Sequence, residues 1–158
     1  MGSLSDLIEQ YLREQLKRVE TVEVQRRELA RMFRCVPSQI NYVLETRFTM
    51  NQGYMVQSRR GGGGYIRITR LNWEDRQELP QLFAELLEIG ISQEEAELVL
   101  ERLIQTSVLD FKEARLLNQV LQDVLSNEAQ KNDLENEDQD QLRARILRAL
   151  LLFVCGKV

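Results

Sequence analysis

The sequence predicts a mostly α protein of the α+β class, built in two parts. Three observations carry this. Apolar residues recur at helical spacing along most of the 158 residues. Two short β-rich runs flank four consecutive glycines, Gly61, Gly62, Gly63 and Gly64. Charge divides along the chain: residues 1–70 hold 12 Lys and Arg against 7 Asp and Glu, and residues 71–158 hold 9 against 18.

Leu4, Leu7, Ile8, Tyr11, Leu12 and Leu16 define an amphipathic helix over 4–19, with Ser3 and Asp6 as its capping pair. Thr21-Val22-Glu23-Val24 is short and β-branched, which predicts a brief strand. A second helix follows at about 27–33, its inward residues Leu29, Ala30 and Phe33. Arg34-Cys35-Val36 makes a tight turn, and Pro37 opens a third helix, where its missing N–H has no helical partner to lose. That helix runs to about Thr49. Ile40, Val43, Leu44 and Phe48 form its buried stripe, leaving Ser38, Gln39, Asn41, Tyr42, Glu45 and Thr46 on the outer faces. Residues 53–68 then read as a hairpin around the glycine tract.

Residues 71–78 are a polar connector, dividing a domain over 1–72 from a helical domain over 79–155. Helices are predicted at about 79–89, 93–106 and 111–126. Gly90 is placed to end the first, and Ser92 with Glu95 and Asp110 with Glu113 cap the others. The acidic, polar stretch 127–140 reads as a mobile loop, and a last helix starts near Gln141. Leu142, Ile146, Leu150 and Phe153 of that helix are expected to be buried across a homodimer, because small helical domains often need a partner to cover such surface.

Helix, strand, helix, turn, helix, hairpin is the order of a winged helix-turn-helix with a glycine-rich β-wing. Ser38, Gln39, Asn41 and Tyr42 stand in the first turns of its second helix, where such helices approach base edges. Asn and Gln can pair bidentately with adenine. A hairpin turn needs fewer than four glycines, and each surplus one costs about 0.5–1 kcal/mol in ordered structure. A tip without side chains can enter a minor groove about 6 Å wide. Arg59 and Arg60 beside it would meet the negative potential there. The basic first part and acidic second part suit a nucleic-acid reader joined to an assembly domain.

Catalysis finds no support. The chain has no histidine. The glycine tract leads into a strand, so it is neither a P-loop nor a dinucleotide fingerprint. Cys35 and Cys155 form no CxxC pair and read as small apolar residues; no metal or cofactor is expected. With no bilayer-spanning run and no signal peptide, a cytoplasmic, nucleoid-associated protein without membrane contact is expected. Two rival readings stay open on these residues. One is a winged-helix adaptor that binds protein; the other is an RNA binder stacking bases on Tyr54 and Tyr65.

The segments CVPSQINYVLETRFT (35–49), GGGGYIRI (61–68), ISQEEAELVLERL (91–103) and QLRARIL (141–147) resemble the CtsR family, repressors of class III stress genes in Firmicutes-type bacteria. The resemblance covers roughly residues 3–152. It implies a winged-helix N-domain, a helical C-domain and a homodimer on tandem direct repeats in promoters of Clp chaperone and protease genes. It implies release of double-stranded DNA on heating, through the glycine-rich wing. It also implies a protein arginine kinase and the Clp protease machinery as partners. Arg26, Arg47 and Arg60 fall on family arginine positions, as DNA contacts and candidates for phosphorylation.

Overall fold

The computed structural model describes residues 2–58, 64–72 and 77–155. The chain forms two compact units, Met1–Leu71 and Asn72–Val158.

The first unit contains α1 (Leu4–Arg18), β1 (Thr21–Gln25), α2 (Arg26–Met32), α3 (Pro37–Arg47), a 3-10 turn (Met50–Gln52), β2 (Tyr54–Ser58) and β3 (Tyr65–Arg70). Ser3 and Asp6 form the expected reciprocal cap at the start of α1. The strands make one antiparallel sheet in the order β1-β3-β2. Val22 and Val56 both oppose Ile68, and Val24 and Ser58 both oppose Ile66. Period-two alternation puts these side chains on one face, which closes over the helices. Ile8, Leu12 and Leu16 of α1, Leu29 of α2, Ile40 and Val43 of α3, and Ile66 and Ile68 share this core. Burying each large aliphatic side chain contributes about 1.5–3 kcal/mol relative to exposure.

The turn between α2 and α3 closes as the sequence requires. Arg34 takes a left-handed conformation (φ 52°), and the Cys35 N–H donates to the Ala30 carbonyl at 2.9 Å. The third helix ends at Arg47, short of Thr49. Phe48 turns into the core at 2% exposure, and Thr49 caps the 3-10 turn that leads into β2.

The second unit contains α4 (Leu79–Leu86), α5 (Gln93–Gln105), α6 (Phe111–Asn132) and α7 (Asn136–Cys155). Ser92 with Glu95 and Asp110 with Glu113 complete both predicted capping boxes. α7 packs against α4, α5 and α6. Leu82, Phe83, Leu86, Val99, Leu103, Leu117, Leu121, Leu147 and Leu151 are buried. The helix α4 stops before Gly90, whose φ is 98°. A Cβ on Gly90 would stand 3.3 Å from the Asp140 carbonyl carbon and the Gln141 nitrogen.

The expectation of a mobile loop over 127–140 is overturned. α6 continues to Asn132 and α7 begins at Asn136, so only residues 133–135 connect them. Glu, Gln, Lys and Ala are good helix formers, and their polarity reflects an exposed helix face rather than absent structure. Asp133 takes the left-handed C-cap (φ 52°), and the start of α7 is anchored where the Asp140 carbonyl accepts from the Ile91 N–H at 3.0 Å. The buried stripe of α7 is Arg143, Ala144, Leu147 and Leu151. Leu142, Ile146 and Leu150 lie half-buried beside it, and Phe153 is 71% exposed. Among the described residues, no helix is long and apolar enough to cross a membrane.

Candidate nucleic-acid interface

α3 is the candidate reading helix. Its N-cap is Val36, whose side chain offers no oxygen to the first-turn N–H groups, although its carbonyl accepts from the Gln39 N–H at 3.0 Å, and Pro37 follows in the first turn. Three other helices, α1, α5 and α6, begin with complete capping boxes. Val36, Ser38 and Tyr42 are exposed, Tyr42 by 54%. Glu45 and Thr46 continue this outer face, with the Thr46 hydroxyl donating to the Tyr42 carbonyl at 2.6 Å.

Gln39 departs from the expected outer position. It is half-buried, and its Nε2 donates to Ser5 Oγ of α1 at 2.8 Å. One residue before Ile40, it stands on the flank of α3 that meets α1, so its amide serves the helix packing. Asn41 is also half-buried, and its Oδ1 accepts from Arg26 Nε at 2.6 Å.

Arg26 begins α2 directly after β1, and its side chain reaches three elements. Besides Asn41, its Nη2 donates to Ser58 Oγ at 2.9 Å and its Nη1 approaches the Gly64 carbonyl at 3.4 Å. Its backbone N–H donates to the same carbonyl at 3.2 Å. Gly64 holds a left-handed conformation (φ 82°) as the chain enters β3. The base of the hairpin is thereby tied to α3. Tyr65, the first residue of β3, is 39% exposed. Arg59, Arg60, Gly61, Gly62 and Gly63 lie outside the described residues.

Arg47, expected at DNA, is engaged elsewhere. Its Nη1 donates to Asp6 Oδ1 at 2.8 Å and to Glu9 Oε1 at 2.6 Å, joining the end of α3 to α1. The Arg47 guanidinium holds both carboxyls below their ordinary range, and Asp6 and Glu9 in turn raise the Arg47 pKa. Arg13 extends this network. It donates to Glu9 at 2.7 Å, to the Tyr54 hydroxyl at 2.9 Å and to the Arg47 carbonyl at 3.2 Å. Its guanidinium carbon lies 5.3 Å from the Phe48 ring centroid and 5.0 Å from that of Tyr54. Tyr54 is only 9% exposed and meets Phe48 edge-on, so it offers no face for base stacking.

Sequence reasoning missed Asp6 and Glu9 as partners of Arg47, Arg13 as their organiser, and Ser58 as the wing's hold on Arg26. The Glu9–Arg13 spacing of four was the one local signal.

Two family models match the chain: the CtsR N-terminal HTH domain over residues 3–72 and the CtsR C-terminal dimerization domain over 75–152. The transcriptional regulator CtsR of Geobacillus stearothermophilus is 44% identical over 154 residues, covering 96% of each chain. CtsR of Bacillus subtilis (strain 168) is 37% identical over 151 residues, covering 94% of each. A crystal structure of CtsR in complex with a 26 bp DNA duplex matches with a TM-score of 0.50 at 42% identity, covering 98% of this chain and 100% of that one. The helix-turn-helix with its three-stranded sheet, the helical second unit and both family matches lead to one conclusion: the chain belongs to the CtsR family of transcriptional regulators.

Proposed function

We propose that this protein is a sequence-specific repressor of heat-shock (clp, class III stress) genes. It binds tandem direct repeats in double-stranded promoter DNA as a homodimer. The observation that carries this reading is the helix α3, which presents Ser38, Asn41 and Tyr42 beside a wing fastened to it by Arg26. Ser38 and Tyr42 bring hydroxyls and Asn41 an amide, the groups that read base edges in a major groove. Arg59, Arg60 and the tract Gly61, Gly62, Gly63 and Gly64 with Tyr65 supply the wing's contact to backbone and minor groove. The DNA complex of the relative supports the same assignment. The acidic second unit carries the dimer, with the half-buried Leu142, Ile146 and Leu150 and the exposed Phe153 as its contact candidates.

Release follows from two physical effects. Ordering a glycine tip on DNA opposes binding more strongly as temperature rises. Arginine phosphorylation by a protein arginine kinase replaces a cation with an anion and prepares the protein for the Clp machinery. The consequence differs by residue. At Arg60 the new charge would repel DNA phosphate. At Arg47 it would face Asp6 and Glu9 and loosen α1 from α3, and at Arg26 it would break the hold on Asn41 and the wing. The site of action is the cytoplasmic nucleoid.

Fluorescence anisotropy at physiological salt tests the reading, comparing a duplex with the tandem repeat of a Clp-gene promoter and a scrambled one. A preference of about a thousandfold is expected, closing on heating. Equal weak binding to both would overturn it. The protein-binding adaptor would then take its place, with exposed Met32 (55%) and Val36 (62%) as its docking residues.

A further inference from the structure

We infer that Arg26 is a positioning residue for Asn41: it fixes which end of the Asn41 amide faces DNA, and so sets base preference at one base pair without itself touching DNA. The inference rests on the DNA-reading role proposed above and deepens it.

A guanidinium carries only donors. The Asn41 atom 2.6 Å from Arg26 Nε must therefore be the amide oxygen, and the amide nitrogen must occupy the other end. An unheld side-chain amide can turn over and exchange donor for acceptor at small cost. It would then accept either order of groups on a base edge. Held by Arg26, Asn41 offers its donor and acceptor in one order only. Among the described residues, Arg26 alone bonds the Asn41 amide. Arg26 is in turn held by Ser58 Oγ at 2.9 Å and the Gly64 carbonyl at 3.4 Å, so the wing base fixes the arginine that fixes the reader. This three-way fork suits a planar guanidinium and not an ammonium.

Arg26→Lys separates this role from a phosphate contact, because it keeps the charge and loses the fork. Duplexes are first selected by the wild-type protein from a randomised pool. The base pair read by Asn41 is then found as the one whose discrimination Asn41→Ala abolishes. Arg26→Lys should relax discrimination at that pair by about tenfold. The salt dependence and the affinity for scrambled duplex should stay as in wild type. Ser58→Ala, which removes one hold and leaves the arginine, should relax the same pair by less. In the Asn41→Ala background Arg26→Lys should add nothing.

Unchanged discrimination in Arg26→Lys would overturn the inference and leave the DNA-reading role standing. So would an Arg26→Ala variant that loses affinity equally for all duplexes with a salt slope flatter by about one. If the wild-type protein enriches no sequence from the pool, the DNA-reading role itself fails and takes the inference with it.

Discussion

The two units are held together in different ways. In Met1–Leu71 three arginines make long-range ties: Arg13 joins α1 to Tyr54 and to the end of α3, Arg47 joins α3 to α1, and Arg26 joins α2 to α3 and the wing strands. In Asn72–Val158 reciprocal caps fix the starts of α5 and α6, and the buried Arg143 makes the long-range tie, bonded to Asp140 at 2.8 Å and, 52 positions away, to the Ile91 carbonyl at 2.8 Å. The contrast teaches where arginine is useful. A capping box sets where a helix begins, whereas an arginine fork sets how two elements face each other. A reading domain depends on the second.

The largest expected effect is at Arg13. Arg13→Ala removes three hydrogen-bonding partners and the contact with two rings, and should destabilise the first unit by about 2–3 kcal/mol. Hydrogen exchange should show the loss in α1 and α3 while α5 and α6 keep their protection. Equal loss in both units would break the comparison.

Asp110→Ala should cost about 1 kcal/mol in urea unfolding, confined to the second unit. The reverse change at the start of α3, the candidate reading helix, Val36→Ser, should gain about 0.5–1 kcal/mol by supplying a side-chain cap oxygen. A neutral result there would mean that the first-turn N–H groups of α3 are already well satisfied.

The smallest effect is expected from acid. Asp6 and Glu9 have pKa values lowered chiefly by Arg47, so the folded protein binds fewer protons at these sites than the unfolded chain. Their contribution is full above the ordinary carboxylate range and is lost as pH falls through the depressed values, below about pH 4. Thermal melts should show this acid sensitivity reduced in Arg47→Met. Both carboxylates are partly exposed, so the effect is modest.

The same contrast explains what the sequence reveals. Caps, Pro37 and the alternation of β2 and β3 are local and periodic, and each is legible within a few residues. The long-range ties are not. Arg26 and Asn41 are 15 positions apart, and Arg47 and Glu9 are 38 apart. Residue type marks these side chains as polar and useful, but only the fold says whether they face DNA or one another. Arg47 and Gln39 illustrate the cost: both are suited to nucleic acid, and both are turned toward α1. The continuous α6 and α7 were obscured for another reason. Composition measures average hydrophobicity, and an exposed helix face resembles a disordered segment on that scale. The short turn at Asp133 carries no glycine or proline to announce it.

Gly90 offers geneticists a handle on the second unit. Any other residue there must hold φ near 98° and place a Cβ 3.3 Å from the backbone of Asp140 and Gln141. Neither neighbour can step aside as a flexible side chain could. An alanine allele at this codon should therefore behave as a temperature-sensitive lesion in assembly that leaves the reading surface chemically intact. Raised in a living cell, it would separate failure to assemble from failure to read.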